Sequence, residues 1–171
     1  MSGGASSGKL AEPVPLSQAH DLSRFKSGKL ALDEWLRNNA LESEGRTART
    51  YVACERNRVV GYYCISTGSV ERRVLPPRLK RARGTPNQIP VAVIGRLARD
   101  ESYTGRGLGK DLLQDAFRRI LSAAQIIGVR AVLVHALDEE AARFWTDHEF
   151  IESPIGSRTF YLPLETIADG L

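Results

Sequence analysis

The chain has 171 residues, enough for one domain with a sizeable core, and its 42% hydrophobic and 26% charged content is that of an ordinary soluble globular protein. No apolar run reaches the length of a membrane span, and the opening MSGGASSGKLAEP lacks the hydrophobic stretch of a secretory signal, so a membrane or secreted protein is not expected and a cytoplasmic one is. The net charge is only +4 but the isoelectric point is about 9.3, so the placement of the cations is the informative feature.

In chain order, residues 1–15 read as a flexible lead-in to a single domain over 16–171. Leu16 to Phe25 reads as a short helix or turn, broken by Ser27-Gly28. Leu32, Trp35, Leu36, Ala40 and Leu41 form a helical stripe over Leu30 to Glu44, with Asp33 and Glu34 near the start, where the dipole favours acid, and Gly45 after the end. Thr47 to Glu55 and Val59 to Ser66 are rich in β-formers and joined by Arg56-Asn57-Arg58, which predicts a hairpin. Val70 to Pro90 contains four prolines and reads as a loop. It also holds six cations within twelve residues: Arg72, Arg73, Arg78, Lys80, Arg81 and Arg83.

Val91 to Arg99 is the next strand, Leu108 to Ile127 a long helix closed by Gly128, and the AVLVHAL run a buried strand. Asp138 is placed to N-cap a short helix reaching His148, so Glu139 and Glu140 are assigned no chemistry. Phe150 to Glu152 and Phe160 to Leu164 are the last strands. The order predicts an α/β fold: a mixed sheet with helices on its faces and a parallel β-α-β crossover at its centre. The two cysteines, Cys54 and Cys64, have neither C-x-x-C spacing nor clustered histidines, so reduced residues are expected, with no disulfide and no metal.

The stretch with the most chemistry in it is IGRLARDESYTGRGLGKDLL, Ile94 to Leu113. A strand end is followed by Gly105, Arg106, Gly107, Leu108 and Gly109, then by a helix start. Amides in a first helical turn lack intrahelical acceptors, and the dipole makes that end positive. Glycine lets the backbone approach an anion closely, and Arg106 and Lys110 add charge. An ordinary glycine-rich turn is the competing reading. The loop is neither a P-loop, since Asp111 follows Lys110, nor a G-x-G-x-x-G fingerprint.

This stretch resembles the pyrophosphate loop of the GNAT superfamily of N-acetyltransferases, Gln/Arg-x-x-Gly-x-Gly/Ala, with the pattern falling on Thr104, Gly107 and Gly109. Thr104 departs from Gln/Arg. The resemblance implies a single-domain GNAT fold, whose central sheet splays and is flanked by helices. It implies that Thr104 to Lys110 hold the diphosphate of acetyl-CoA, and that the backbone of Leu97, Ala98 and Arg99 contacts the cofactor. Further stretches, among them FKSGKLALDEWL, VLVHALDEEAARFW and SPIGSRTFYLPL, are similar to the toxin acetyltransferases of bacterial toxin–antitoxin pairs. Those enzymes acetylate the α-amino group of aminoacyl-tRNA and so stop translation. The resemblance also implies a homodimer, and a cognate antitoxin that joins a DNA-binding domain to a disordered tail.

Under this resemblance the basic segment, with Arg78, Lys80, Arg81 and Arg83, becomes a candidate for RNA phosphates, the alternative being a solvated loop. Lys26, Lys29, Arg46 and Arg49 extend it. Arg96, inside an apolar strand, either orients the acceptor end or pairs with a core carboxylate such as Glu55 or Asp100. His135 is read as a buried, hydrogen-bonded histidine on the cofactor side, and Ala141 and Phe144 as lining the pantetheine channel. The branch uses a tyrosine as the catalytic acid, in an FY pair followed by Gly-Phe. Here Trp145 takes the tyrosine's place and Glu149 the glycine's. A phenol with a pKa of about 10 can give up a proton, whereas an indole N–H only donates a hydrogen bond. Three outcomes stay open: a slow enzyme, another donor such as Tyr103, Tyr161 or His148, or an inactivated chain. The competing functions are a small-molecule or protein N-acetyltransferase, and a non-catalytic binder of coenzyme A and RNA.

Overall fold

The computed structural model describes residues 10–80 and 86–170. Its strands are β1 (Val14–Pro15), β2 (Arg49–Glu55), β3 (Arg58–Glu71), β4 (Gln88–Arg99), β5 (Ala131–His135), β6 (Ile151–Glu152) and β7 (Thr159–Pro163). The helices are α1 (Leu30–Asn38), α2 (Ala40–Ser43), α3 (Pro77–Lys80), α4 (Leu108–Ala124), α5 (Glu139–Asp147) and α6 (Leu164–Gly170). The strands form one mixed sheet in the order β1-β2-β3-β4-β5-β7-β6, with β4 and β5 parallel. This is the predicted fold class. The chain divides into two compact units, Met1–Cys64 with Arg96–Asp115, and Ile65–Gly95 with Ala116–Leu171.

The first unit holds β1, β2 and the start of β3, with α1 and α2. Val14 and Pro15, the last residues of the segment read as a lead-in, pair with Val52 and Tyr51. The predicted helix over Leu30 to Glu44 breaks at Asn39 into α1 and α2. Asp33 does more than complement a dipole. It is buried, and its carboxylate accepts hydrogen bonds from the Ser27 amide at 3.0 Å and the Ser27 hydroxyl at 2.6 Å. The core of this unit is built on Phe25, Leu36, Val52, Val59, Tyr62 and Ala98.

Gly61 on β3 seats the start of α4. A Cβ there would lie 3.1 Å from Leu112 Cδ1 and 3.2 Å from Leu108 Cδ2, tighter than ordinary packing. Glycine thus lets the first turn of α4 lie directly on the strand. Leu108, Leu112, Leu113, Ala116 and Ile120 are buried at helical spacing along α4.

In the second unit β5 pairs with β4 from Val91↔Ala131 to Ile94↔Val134 and with β7 on its other side. Burial on both faces explains its uninterrupted apolar run. The segment read as a loop over Val70 to Pro90 is largely built: β3 runs on to Glu71, a 3-10 turn covers Arg72–Val74, and α3 follows. Leu75 and Leu79 are fully buried there, and these apolar anchors organise a stretch that its prolines had marked as irregular. Helix α4 ends at Ala124, short of the predicted Ile127, and Ile126 is left 87% exposed. Helix α6 was not predicted. Arg130 holds it through Glu165 at 2.8 Å and 3.1 Å.

Candidate active site

The glycine loop is fixed from its N-terminal side by Asp100. The Asp100 side chain is buried, and it accepts hydrogen bonds from the amides of Lys26 and Ser102, each at 3.0 Å, and from the Ser102 hydroxyl at 2.7 Å. Arg58 lies 3.2 Å away. Burial pushes the Asp100 carboxyl up, but these amides, the hydroxyl and the guanidinium outweigh it and hold the group below its ordinary range. The Asp100 amide donates to the Val60 carbonyl at 2.7 Å and the Glu101 amide to the Lys26 carbonyl at 2.8 Å. The chain entering the loop is therefore tied to β3 and to the N-terminal segment.

The loop itself has the geometry of an anion seat. Gly105 and Gly107 take φ values of 75° and 77°, which side chains disfavour, and a Cβ on either would meet nothing within 4 Å. The first hydrogen bond of α4 runs from the Asp111 amide to the Gly107 carbonyl at 3.1 Å. The amides of Leu108, Gly109 and Lys110 precede it and have no helical acceptor. The Leu108 side chain is buried, while Lys110 and Arg106 are exposed. The Arg106 guanidinium sits 4.1 Å from the centroid of the Tyr103 ring. Thr104 turns its hydroxyl back onto the Glu101 carbonyl at 2.8 Å, so its side chain supports the turn. On the strand before the loop Ala98 is buried in the core and Leu97 and Arg99 are half-buried.

Tyr103 and Tyr161, two alternative proton donors, are both buried. Burial raises the Tyr103 phenol, and its hydrogen bond to the charged Glu55 raises it further, partly offset by Arg106 and Arg58. Burial raises Tyr161 as well. Neither gives up its proton readily near neutrality.

Helix α5, in the second unit, carries the position expected for the catalytic acid. Asp138 caps it as predicted, accepting from the Ala141 amide at 2.9 Å. At its other end the chain forms a Schellman motif. The Phe150 amide donates to the Trp145 carbonyl at 3.1 Å and the Glu149 amide to the Thr146 carbonyl at 3.0 Å. Trp145 and Phe150 supply the apolar contact that accompanies this motif, with ring centroids 5.1 Å apart. Phe144 packs on the indole's other neighbour position at 5.0 Å. Trp145, at the position expected for the catalytic acid, is only 6% exposed, and its indole forms half of this helix cap.

Glu149, where the resemblance leads one to expect a glycine, has φ 72°, the left-handed conformation that glycine favours. His148 donates from Nδ1 to the Phe144 carbonyl at 2.8 Å, because a carbonyl only accepts. His135 departs from its expectation. It is exposed rather than buried, because β5 ends there, one residue past the last pair with β4. Its Nδ1 lies 3.0 Å from Thr159 Oγ1. Ala141 and Phe144 are half-buried on α5.

Among the cations, Arg78 reaches Thr166 Oγ1 at 3.3 Å, Arg72 donates to the Lys80 carbonyl at 2.9 Å, and Arg73 pairs with Glu71. Lys80 is half-buried. Arg81 and Arg83 lie outside the described residues. Arg96 is not held by Glu55 or Asp100. Its guanidinium lies 4.4 Å from the centroid of the Trp35 ring, a contact that residue spacing did not reveal. Among the described residues there is no group of three or more metal-ligating side chains, and no helix is long and apolar enough to cross a membrane. Cys54 and Cys64 are thiols not joined in a disulfide.

A mixed sheet with a parallel β4–β5 pair, and a glycine turn opening α4, are the features expected of an acetyl-CoA-dependent acyltransferase. Residues 46–152 match the acetyltransferase (GNAT) domain family, and the chain belongs to it. A tRNA-acetylating toxin of Mycobacterium tuberculosis (strain ATCC 25618 / H37Rv) is 43% identical over 143 residues, which are 83% of this chain and 85% of the relative. Among solved structures, AtaT complexed with acetyl-methionyl-tRNAfMet superposes with a TM-score of 0.86 at 28% identity, covering 94% of this chain and 98% of that one. A mutant AtaT toxin, bound to the C-terminus of the antitoxin AtaR and acetyl-CoA, gives 0.81 at 28% identity, covering 96% and 99%.

Proposed function

We propose that this protein is a toxin N-acetyltransferase that moves the acetyl group of acetyl-CoA onto the α-amino group of aminoacyl-tRNA and so blocks translation. The observation that carries this reading is the set of first-turn amides at Leu108, Gly109 and Lys110, which precede the first bond of α4, beside two open, left-handed glycines. Such a set suits a diphosphate, and the fit is one of backbone donors, positive helix potential and absent side-chain bulk. Arg106 and Lys110 supply the charge, and the backbone of Leu97, Ala98 and Arg99 is assigned to the rest of the cofactor, with His135, Ala141 and Phe144 as further contacts. When bound, acetyl-CoA supplies an activated thioester. The toxin relatives, acting on tRNA by their names, support the acceptor.

The remaining chemistry asks little of the protein's acids and bases. An α-amino group titrates at about 8, so a useful fraction is free near neutrality without a dedicated base. A thiol titrates at about 8.5 and leaves well as thiolate, so a strong acid contributes only part of the usual general-acid factor. Trp145 offers an N–H as hydrogen-bond donor to growing negative charge and leaves positioning as the main source of rate. Arg78, Lys80, Arg81, Arg83 and Arg96 are assigned to RNA phosphates. An antitoxin with a disordered tail, a homodimeric state and a cytoplasmic setting complete the reading.

The test is incubation of the full chain with labelled acetyl-CoA and a pool of charged tRNA. Label on the amino acid ester is the expected result. Label on polyamines or peptides, with none on any charged tRNA, would overturn the acceptor assignment.

A further inference from the structure

Arg96 is half-buried on β4, two residues beyond the last β4–β5 pair. A cation in such a place needs compensation, normally a carboxylate. The carboxylates expected to serve are committed elsewhere. Asp100 is taken up by Lys26, Ser102 and Arg58, and Glu55 by Tyr103 and by Arg58 at 3.8 Å. What meets the guanidinium instead is the face of Trp35, 4.4 Å from centroid to Cζ.

That indole is itself fixed. It stacks on Tyr62 at 6.1 Å and 12°, and Tyr62 is fully buried, donating its hydroxyl to the Leu32 carbonyl at 2.7 Å. Phe25 meets the Tyr62 ring edge-on at 5.6 Å. Helix α1, which carries Trp35, is tied down by Asp33 on Ser27 and by Arg37 on the Phe25 carbonyl. The result is a rigid stack in which a guanidinium lies on an indole and the indole on a phenol.

We infer that Trp35 is a positioning residue, a platform that holds Arg96 ready for a phosphate of the RNA acceptor end. Stacking occupies the face of a guanidinium and leaves its N–H edge for the bidentate bonds that phosphate oxygens accept. With the cofactor's diphosphate assigned to the loop amides, Arg106 and Lys110, the phosphate that Arg96 takes is assigned to the RNA, and the coenzyme A arm of the test separates it from the cofactor's 3′-phosphate. This rests on the reading of aminoacyl-tRNA as acceptor.

The test uses the full chain with Trp35→Leu, Trp35→Phe, Arg96→Ala and the Leu/Ala double variant. Each is assayed for kcat and KM with charged tRNA, for coenzyme A affinity by calorimetry, and for thermal midpoint. Arg96→Ala and Trp35→Leu are each expected to raise KM for charged tRNA about ten-fold, with kcat and coenzyme A affinity held within about two-fold. The double variant is expected to be no worse than Arg96→Ala, and Trp35→Phe to fall between wild type and Trp35→Leu. The salt dependence of tRNA binding should lose about one phosphate's worth of slope.

An unchanged KM, or additive losses in the double variant, would overturn the inference. Weakened coenzyme A binding of the same size would assign the phosphate to the cofactor and overturn it too. If Trp35→Leu fails to fold, Trp35→Phe and Arg96→Ala carry the comparison. If the wild type acetylates no charged tRNA, the proposed function fails, and the inference is then read from anisotropy with uncharged tRNA, where the same ten-fold losses are expected.

Discussion

The glycine loop and the C-terminal end of α5 are built on opposite plans. The loop gets its chemistry from backbone. Three amides lack helical acceptors, two glycines leave space open, and a buried carboxylate with four polar partners holds the entry in place. At α5 the expected catalytic position carries a tryptophan side chain, and the backbone around it has the form of a helix cap, down to the left-handed residue at Glu149. Anion binding assembled from main-chain groups tolerates side-chain change in principle. Proton donation by one phenol does not, and a tryptophan can keep the packing while losing the proton.

The contrast breaks most readily at Gly107. Its substitution by valine is expected to weaken coenzyme A binding by at least about 100-fold, because the β-branched side chain strains φ and fills the space left for the ligand. Since nothing in the chain lies near that Cβ, the fold should persist, with a thermal midpoint within a few degrees of wild type. Calorimetry and a melting curve together check this. Trp145→Tyr sharpens the other side. The phenol should raise kcat about 10²-fold, the low end of the general-acid range, with coenzyme A affinity unchanged. Single-turnover kinetics decide it, and an unchanged kcat would show that position alone sets the rate.

Asp100→Asn gives a smaller effect with a pH signature. The folded Asp100 carboxyl titrates below its ordinary 3.8, so the stability it contributes is complete above that value and is lost as pH falls through the lower, folded one. Denaturant unfolding from pH 7 down to 2 should show that loss in wild type. The asparagine variant should be less stable at pH 7 and lack this part of the acid dependence. The smallest effect is at Glu149. Glycine there should stabilise the fold by about 1 kcal/mol by relieving left-handed strain, with kcat untouched, as denaturant midpoints and initial rates will show.

What the sequence made legible was local. The start of α4 at Leu108, the cap at Asp138 and the glycine turn before α4 each express one element's own geometry, and each stands where it was read. What escaped was set by distant partners. Asp33 looked like a dipole-complementing acid because its partner, Ser27, lies before the helix. For Arg96 the ion-pair alternative named Glu55 and Asp100, because the contact with Trp35, 61 positions earlier, leaves no trace in residue spacing. Val70 to Pro90 looked like a loop because prolines mark breaks, while the burial of Leu75 and Leu79 comes from elements that follow much later. His135 looked buried because its neighbours are apolar, yet strands end, and their last residue often faces out.

The measurement closest to the central claim is the amide spectrum of ¹⁵N-labelled protein titrated with coenzyme A and, separately, with pantetheine, which has no diphosphate. Resonances of Leu108, Gly109 and Lys110 are predicted to move together and downfield with coenzyme A and to stay in place with pantetheine. If coenzyme A binds while those three amides remain unmoved, the diphosphate is held elsewhere and the assignment of the loop is wrong.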